Sequence, residues 1–193
     1  MRKKRGQGRC ALVSGTSDGF PLDSISPREF GLAPVIGNDP MVLILGSFPS
    51  KMSLAAQRYY ANPRNHFWHI MQILFSLADD GATGENQVAL EERHVAVWDV
   101  IASRAFQNGA MDRDIRDPVM NDIPGFLREH PTIRFIGLNG GKAADCFKKV
   151  VHDTPFSSPI VITRLPSTSP ANATYSFGQK LERWRVILDY LVP

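Results

Sequence analysis

Cysteine is scarce in this sequence, which has two such residues, Cys10 and Cys146, in a chain of 193. Disulfide scaffolds are dense in cysteine, and a chain of this length buries roughly 70% of its unfolded surface without needing disulfides or a structural metal. We therefore expect a protein of a reducing compartment, the cytoplasm, and the composition disfavours secretion.

Long hydrophobic runs are also missing. No stretch of the sequence reaches the about 18 apolar residues of a membrane span. The residues after the basic start lack the apolar core of a signal peptide. The sequence thus predicts no membrane partner.

The net charge is small, +3 at pH 7, from 22 Lys and Arg against 19 Asp and Glu. Five of the 22 basic residues lie in the first nine positions, so the basic character belongs to the start of the chain. Residues 1–33 mix Gly, Ser, Asp and Pro without periodicity, which predicts a flexible basic leader before a single domain over 34–193. Such a leader is compatible with contacts to DNA phosphates and with a plainly solvated start.

Four short apolar runs predict buried strands, at 41–46, 95–100, 134–138 and 160–165. Segments long enough for helices separate these runs, which indicates crossover connections and parallel strands.

Apolar residues spaced by three and four predict amphipathic helices over 67–77 and 181–191. Further helices are predicted at 123–128, after a cap at Asn121, and at 142–151, after a Gly-Gly turn. Together the elements predict an α/β fold, a three-layer sandwich whose central parallel four-stranded sheet is flanked by helices. Ligands of such a sheet bind beyond the carboxyl ends of its strands.

Three loops rich in Gly, Pro, Ser and Asn follow predicted strands and converge on that edge. They read GSFPS at 46–50, LNGGKA at 138–143 and LPSTSPAN at 165–172, and the aromatic segment YYANPRNHFW at 59–68 lies downstream of the first. They offer hydroxyls, carboxamides and backbone donors but no carboxylate, which suits reading base edges and orienting a water.

These segments, with VWDV at 97–100, closely resemble the uracil-DNA glycosylase superfamily, and most of all its hypoxanthine (deoxyinosine) DNA glycosylase family. The resemblance runs from about residue 42 to 184. It implies a glycosylase that needs no metal or cofactor, acts as a monomer on double-stranded DNA containing a damaged base, and is found at the nucleoid. Such an enzyme flips the base out, binds it, and positions a water to hydrolyse the N-glycosidic bond.

The superfamily often carries a water-orienting Asp, Asn or Glu after the first strand, where this chain has Ser47 and Phe48. The resemblance to the hypoxanthine family implies that Asn65 is the catalytic residue. By its position before a helix, the same asparagine is a good N-cap.

For the base pocket, the resemblance implies that Tyr60 stacks under the flipped base and that Asn139 hydrogen-bonds the base edge, with Gly46, Ser47 and Phe48 forming another wall. From the residues alone, Tyr60 is also compatible with a core position and Phe48 with a buried loop anchor. Hypoxanthine and uracil each present a carbonyl beside a ring N–H, so one carboxamide does not decide between them.

For DNA, the resemblance implies that Pro166, Ser167 and Ser169 enter the minor groove and grip phosphates. Many relatives begin this loop with a His or Asn that stabilises the leaving base, whereas this chain has Leu165, which implies a slower enzyme or another strategy. Lys142 is a candidate phosphate contact, although a solvated helix start also explains it. Clusters of Ser, Thr and Pro are often simple turns.

The remaining candidate residues give weaker evidence of a function. The five histidines show no metal-ligand spacing with Cys or carboxylates, so no metal site is predicted. His66 lies beside Asn65 and is compatible with a role in the pocket or a purely structural one. Asp99 ends the second predicted strand near the site edge, and a structural capping role is favoured there over catalysis. The alternative to a glycosylase is a catalytically quiet module that binds DNA lesions on the same scaffold.

Overall fold

A computed structural model describes residues 27–78, 85–105, 116–151 and 159–191. The strands are β1 (Arg28–Phe30), β2 (Val42–Gly46), β3 (Val95–Asp99), β4 (Ile101–Ala105), β5 (Val119–Met120), β6 (Phe135–Asn139) and β7 (Val161–Leu165). The helices are α1 (Lys51–Ala56), α2 (His66–Phe75), α3 (Glu85–Glu91), α4 (Ile123–Glu129), α5 (Gly141–Val150) and α6 (Phe177–Trp184), followed by a 3-10 helix over Arg185–Tyr190.

The main sheet is parallel and four-stranded, in the order β3-β2-β6-β7. Its strands match the four predicted runs to within one residue at either end. The predicted α/β sandwich with a central parallel sheet is thus confirmed.

Strand β2 shows why three layers form. All five of its residues are buried, because successive side chains enter opposite cores. Leu43 and Leu45 pack in a cluster that includes residues of α4 and α5, whereas Val42 and Ile44 pack in one that includes residues of α2 and α6.

The predicted helix starts at 67, 123 and 142 lie within one residue of the starts of α2, α4 and α5, whereas α6 starts at Phe177, four residues before the predicted start at 181. The cap expected at Asn121 is wrong by one residue, since Asp122 Oδ1 accepts from Gly125 N at 2.8 Å. Asn121 Nδ2 donates to the Asp99 carbonyl at 2.8 Å instead. Asp99 does not stand directly before a helix, because β3 passes into β4.

A second, antiparallel sheet in the order β1-β4-β5 was not predicted. Its β1 lies inside the segment expected to be leader, so residues 28–33 belong with the fold, while residues 1–26 lie outside the described ranges. No helix of the described ranges has the length and apolar character to cross a membrane.

Candidate nucleic-acid base pocket

One cavity of about 1070 Å³ opens beyond the carboxyl ends of β2, β3, β6 and β7. Four separate segments line it, because parallel strands bring their following loops to one edge of the sheet. Eight residues predicted for the site are among its lining: Gly46, Ser47, Phe48, Tyr60, Asn65, Asn139, Ser167 and Ser169.

Two predicted DNA contacts are not among the lining residues. Lys142 is the second residue of α5 and remains partly exposed outside the cavity. The carbonyl of Pro166 accepts from Trp184 Nε1 at 3.0 Å, which attaches the start of its loop to α6.

Asn65 is both a cap and a cavity residue. Its Oδ1 accepts from Phe67 N at 3.0 Å, which fixes the carboxamide at the N-terminus of α2. A carbonyl oxygen has two lone pairs, so the cap leaves one to orient a water. The two interpretations of Asn65 are therefore compatible, and capping holds the carboxamide in place for chemistry.

Tyr60 is held in an unusual backbone conformation. Its φ is 53°, in the left-handed region that bulky residues rarely adopt. One face of its ring stacks on Phe67, with centroids 4.0 Å apart and planes at 28°. This stacking fixes the ring of Tyr60 where it lines the cavity, and such strain is typical of functional sites.

Phe48 forms another wall and contacts the buried side chain of Arg104, which also lines the cavity. The Arg104 guanidinium lies over the Phe48 ring at 4.6 Å from its centroid, and Arg104 is 2% exposed. Its Nη2 and Nε donate to Glu29 Oε2 of β1 at 2.8 and 2.9 Å. The second sheet therefore braces the pocket, which the sequence did not indicate because Glu29 and Arg104 are 75 residues apart.

Asn139 is paired with a residue that sequence reasoning missed. Its Nδ2 donates to Thr168 Oγ1 at 3.0 Å, and its Oδ1 accepts from Thr168 N at 2.9 Å. Thr168 is fully buried, and its carbonyl accepts from His66 N at 3.0 Å. Thr168 thus ties the last loop to both β6 and α2.

Lys180 is a second missed residue, only 1% exposed. Its Nζ donates to the carbonyls of Asn172 at 3.0 Å and Ser169 at 3.5 Å, so it holds the last loop from below. Burial lowers the pKa of this ammonium below its ordinary value. Its spacing, four residues before the buried Trp184, was the available signal that it lies on the inner face of α6.

The cavity also contains a carboxylate. Asp99 is 3% exposed and is the one acidic side chain among the described residues that line the cavity. It pairs in register with Gly46 of β2, and a side chain on Gly46 would overlap its Oδ1.

The neighbouring Tyr59 is a buried hydroxyl. Burial raises the pKa of the Tyr59 hydroxyl well above its ordinary value, and the charge of Asp99 and the neighbouring Tyr60 raise it further. Tyr59 stays protonated and donates to the Leu32 carbonyl at 3.1 Å.

The chemistry available is therefore that of carboxamides, hydroxyls, aromatic faces, one buried carboxylate and the buried Arg104 guanidinium. Across the described ranges, no three His, Cys, Asp or Glu residues are grouped so as to hold a metal ion. The cations Lys51 and Arg64 also line the cavity and are exposed, which suits contacts to a polyanion at its rim.

Comparison with known proteins gives a consistent picture. Residues 34–191 match the family model of the uracil DNA glycosylase superfamily. A hypoxanthine DNA glycosylase of Methanosarcina acetivorans is 30% identical over 161 residues, covering 83% of this chain and 98% of that protein. One of Methanosarcina barkeri is 26% identical over 146 residues, covering 75% and 89%.

The fold also has a counterpart of known structure. The solution NMR structure of a Methanosarcina acetivorans protein described as a candidate uracil DNA glycosylase superposes with a TM-score of 0.71. It is 28% identical, and the match covers 86% of this chain and 99% of that one. The matched family range begins at residue 34, so β1 and the brace it provides lie outside it.

Proposed function

Because the chain belongs to the uracil DNA glycosylase superfamily, we propose that it releases a flipped, deaminated base from DNA, with hypoxanthine as the preferred base. The main supporting observation is that Asn65, Tyr60, Phe48 and Asn139, from three separate segments, line one cavity. The names of the two curated relatives support hypoxanthine in particular.

Hydrolysis of the N-glycosidic bond needs three things from the protein: a pocket for the extruded base, stabilisation of an oxocarbenium-like sugar and an oriented water. Tyr60 and Phe48 supply the aromatic walls, where stacking contributes roughly 1 to 3 kcal/mol per base. Asn65 Oδ1 accepts a hydrogen bond from the water, which attacks C1′ as the bond to the base breaks. The bonding electron pair leaves with the base, which is released as an anion and takes up a proton from solvent, while the attacking water gives one proton to solvent and leaves a hydroxyl group on C1′.

Double-stranded DNA would approach over the last loop, with Ser167 and Ser169 near the phosphates. Since one chain lines the whole cavity, action as a monomer is proposed. Pro166 and Lys142 can contact DNA only from outside the cavity, and their roles stay predictions. A location at the nucleoid in the cytoplasm also stays a prediction.

The test uses duplexes that carry a single hypoxanthine, uracil, xanthine or mismatched thymine, with alkaline cleavage of abasic sites and measurement of strand scission. We expect scission dominated by hypoxanthine. Absence of scission on every duplex despite measurable DNA binding would instead support the catalytically quiet lesion-binding module.

Asn65→Ser provides the matched variant, because serine also caps helices well but lacks the carboxamide. We expect Asn65→Ser to lower base release at least about 100-fold while the melting temperature and DNA affinity stay close to wild type. Asn65→Ala, which removes the cap as well, should cost about 1 kcal/mol of stability in addition. Wild-type release by Asn65→Ser would remove Asn65 from the catalytic role.

A further inference from the structure

We propose that Arg104 is a catalytic residue that stabilises the negative charge of the departing base by donating a hydrogen bond from its guanidinium. This inference rests on the proposed glycosylase function, in which the base leaves with the bonding electron pair. It assigns a role in the chemistry to a residue that none of the sequence patterns indicated.

Arg104 is a buried cation in the wall of the cavity. It is 2% exposed, yet it lines the cavity together with Phe48 and Tyr60. Lys51 and Arg64 are the other cations among the described lining residues, and both are exposed. Solvent screens exposed charges, whereas a charge removed from water interacts strongly with its neighbours. Arg104 is therefore the cation that a base bound in the cavity would experience most strongly.

The contacts of the guanidinium leave part of it for a ligand. Its Nε donates to Glu29 Oε2 at 2.9 Å, and its Nη2 lies 2.8 Å from the same oxygen. Its face lies over the Phe48 ring, 4.6 Å from the centroid. None of these contacts with the described residues involves Nη1. Nη1 thus has two N–H groups to donate, and the contact with Phe48 places the guanidinium at the aromatic wall of the base pocket.

The reaction creates negative charge in the same pocket. As the bond between C1′ and the base breaks, its electron pair spreads over the ring nitrogens and the carbonyl of the base. A fixed N–H donor stabilises such charge without having to reorganise, and its effect is greatest where water is excluded. Strand β7 ends on Leu165, which is buried and apolar, so the start of the last loop offers no such donor side chain. The released base still takes its proton from solvent, because a guanidinium does not give up a proton in proteins.

Two bases that differ in leaving ability separate this role from mere support of the pocket. 8-Azahypoxanthine has nitrogen in place of the C8–H of hypoxanthine, so it has nearly the same shape but carries a negative charge more easily. Single-turnover release of both bases is compared for Glu29→Gln and for the double variant Glu29→Gln/Arg104→Gln, so that neither chain contains the Glu29 carboxylate without its partner. We expect the double variant to release hypoxanthine about 100-fold more slowly than Glu29→Gln does, but 8-azahypoxanthine only about 10-fold more slowly.

Glu29→Gln alone keeps the cation and is the matched control, with a ratio of the two rates close to that of wild type. If the double variant slows release of both bases by the same factor, or of neither, Arg104 only supports the pocket and the proposal is overturned.

If the double variant does not fold, Arg104→Lys takes its place, because lysine keeps the charge but cannot both pair with Glu29 and supply the Nη1 donors. We then expect the ratio of 8-azahypoxanthine to hypoxanthine release to rise several-fold over wild type, and an unchanged ratio overturns the proposal. A wild-type enzyme that releases neither base would instead contradict the proposed function.

Discussion

Asn139 and Thr168 form two hydrogen bonds with each other, and these bonds leave two possible roles for Asn139 in the site. Both polar atoms of the Asn139 carboxamide are engaged by Thr168, although each still has one donor or acceptor position left. Asn139 can therefore read a base edge, hold the last loop, or do both. If Asn139 reads the base edge, its loss changes base preference. If Asn139 holds the last loop, its loss weakens DNA binding.

Thr168→Val separates these roles by removing the hydroxyl that accepts from Asn139 while keeping the volume of the side chain. Because Thr168 is fully buried and Asn139 Nδ2 loses its partner, we expect a loss of about 1–3 kcal/mol of stability. DNA affinity should weaken several-fold, with the ratio of hypoxanthine to uracil release unchanged. Thermal melts, DNA titrations and release assays measure these effects.

Thr168→Ser keeps the hydroxyl and serves as the control, with near wild-type DNA affinity. Asn139→Ala should weaken binding and also change base preference. If Asn139→Ala and Thr168→Val give the same preference as wild type, Asn139 only holds the loop.

At the scale of elements, the N-terminus of α2 packs near α6 and creates a titratable site beside the pocket. The His66 ring meets Phe177 of α6 edge-on, with centroids 5.2 Å apart. Burial lowers the pKa of His66 below its ordinary value of 6.5, and the charges of Lys180 and His69 lower it further. The folded protein therefore favours the neutral imidazole next to Asn65.

This shift sets the direction of a pH effect on stability. Just below about pH 6.5, His66 is protonated in the unfolded chain but stays neutral in the folded chain, so unfolding takes up protons. The contribution of neutral His66 is fully present above pH 6.5 and is lost as the pH falls from there through the lower folded pKa. We expect the melting temperature to fall between pH 7.5 and 5.5 on the order of 2 °C more for wild type than for His66→Gln.

Lys180→Met should reduce the pH dependence seen in wild type, because one cause of the His66 shift is removed. An identical decrease in wild type and His66→Gln would contradict the role assigned to His66.

At the scale of the whole molecule, two sheets meet at Arg104. This arginine is buried, paired with Glu29 of β1 and stacked on Phe48 of the pocket wall. Removing one partner of a buried ion pair leaves an uncompensated charge, which costs about 3–5 kcal/mol. The N-terminal strand should therefore support the pocket from outside the range that the superfamily model matches.

Two truncations test this support. Deletion of residues 1–30 removes β1 and Glu29, whereas deletion of residues 1–26 retains both. We expect the melting temperature of the shorter chain to be lower by roughly 10 °C than that of the longer one. Glu29→Gln in the full chain should give a smaller decrease in the same direction. Equal melting temperatures for the two truncated chains would show that β1 does not brace the fold.

The sequence by itself determined the four parallel strands, most of the helices and the edge where the site lies. These follow from local patterns: apolar runs, spacings of three and four, and Gly, Pro and Ser clusters at strand ends. It also indicated eight of the residues that line the cavity, through their resemblance to a family. Local patterns could also place Asn65 before a helix, where its cap is formed.

Only the tertiary structure decided which polar groups face one another. Thr168 and Asn139 are 29 residues apart, and Glu29 and Arg104 are 75 apart, so nothing local pairs them. Asp99 had the pattern of a strand end, and its place in the cavity depends on the register that sets it beside Gly46. Lys180 had the character of a surface lysine until the carbonyls of the last loop enclosed it. The physical reason is common to all four: a hydrogen bond or a buried charge depends on the position of its partner, which the packed fold supplies.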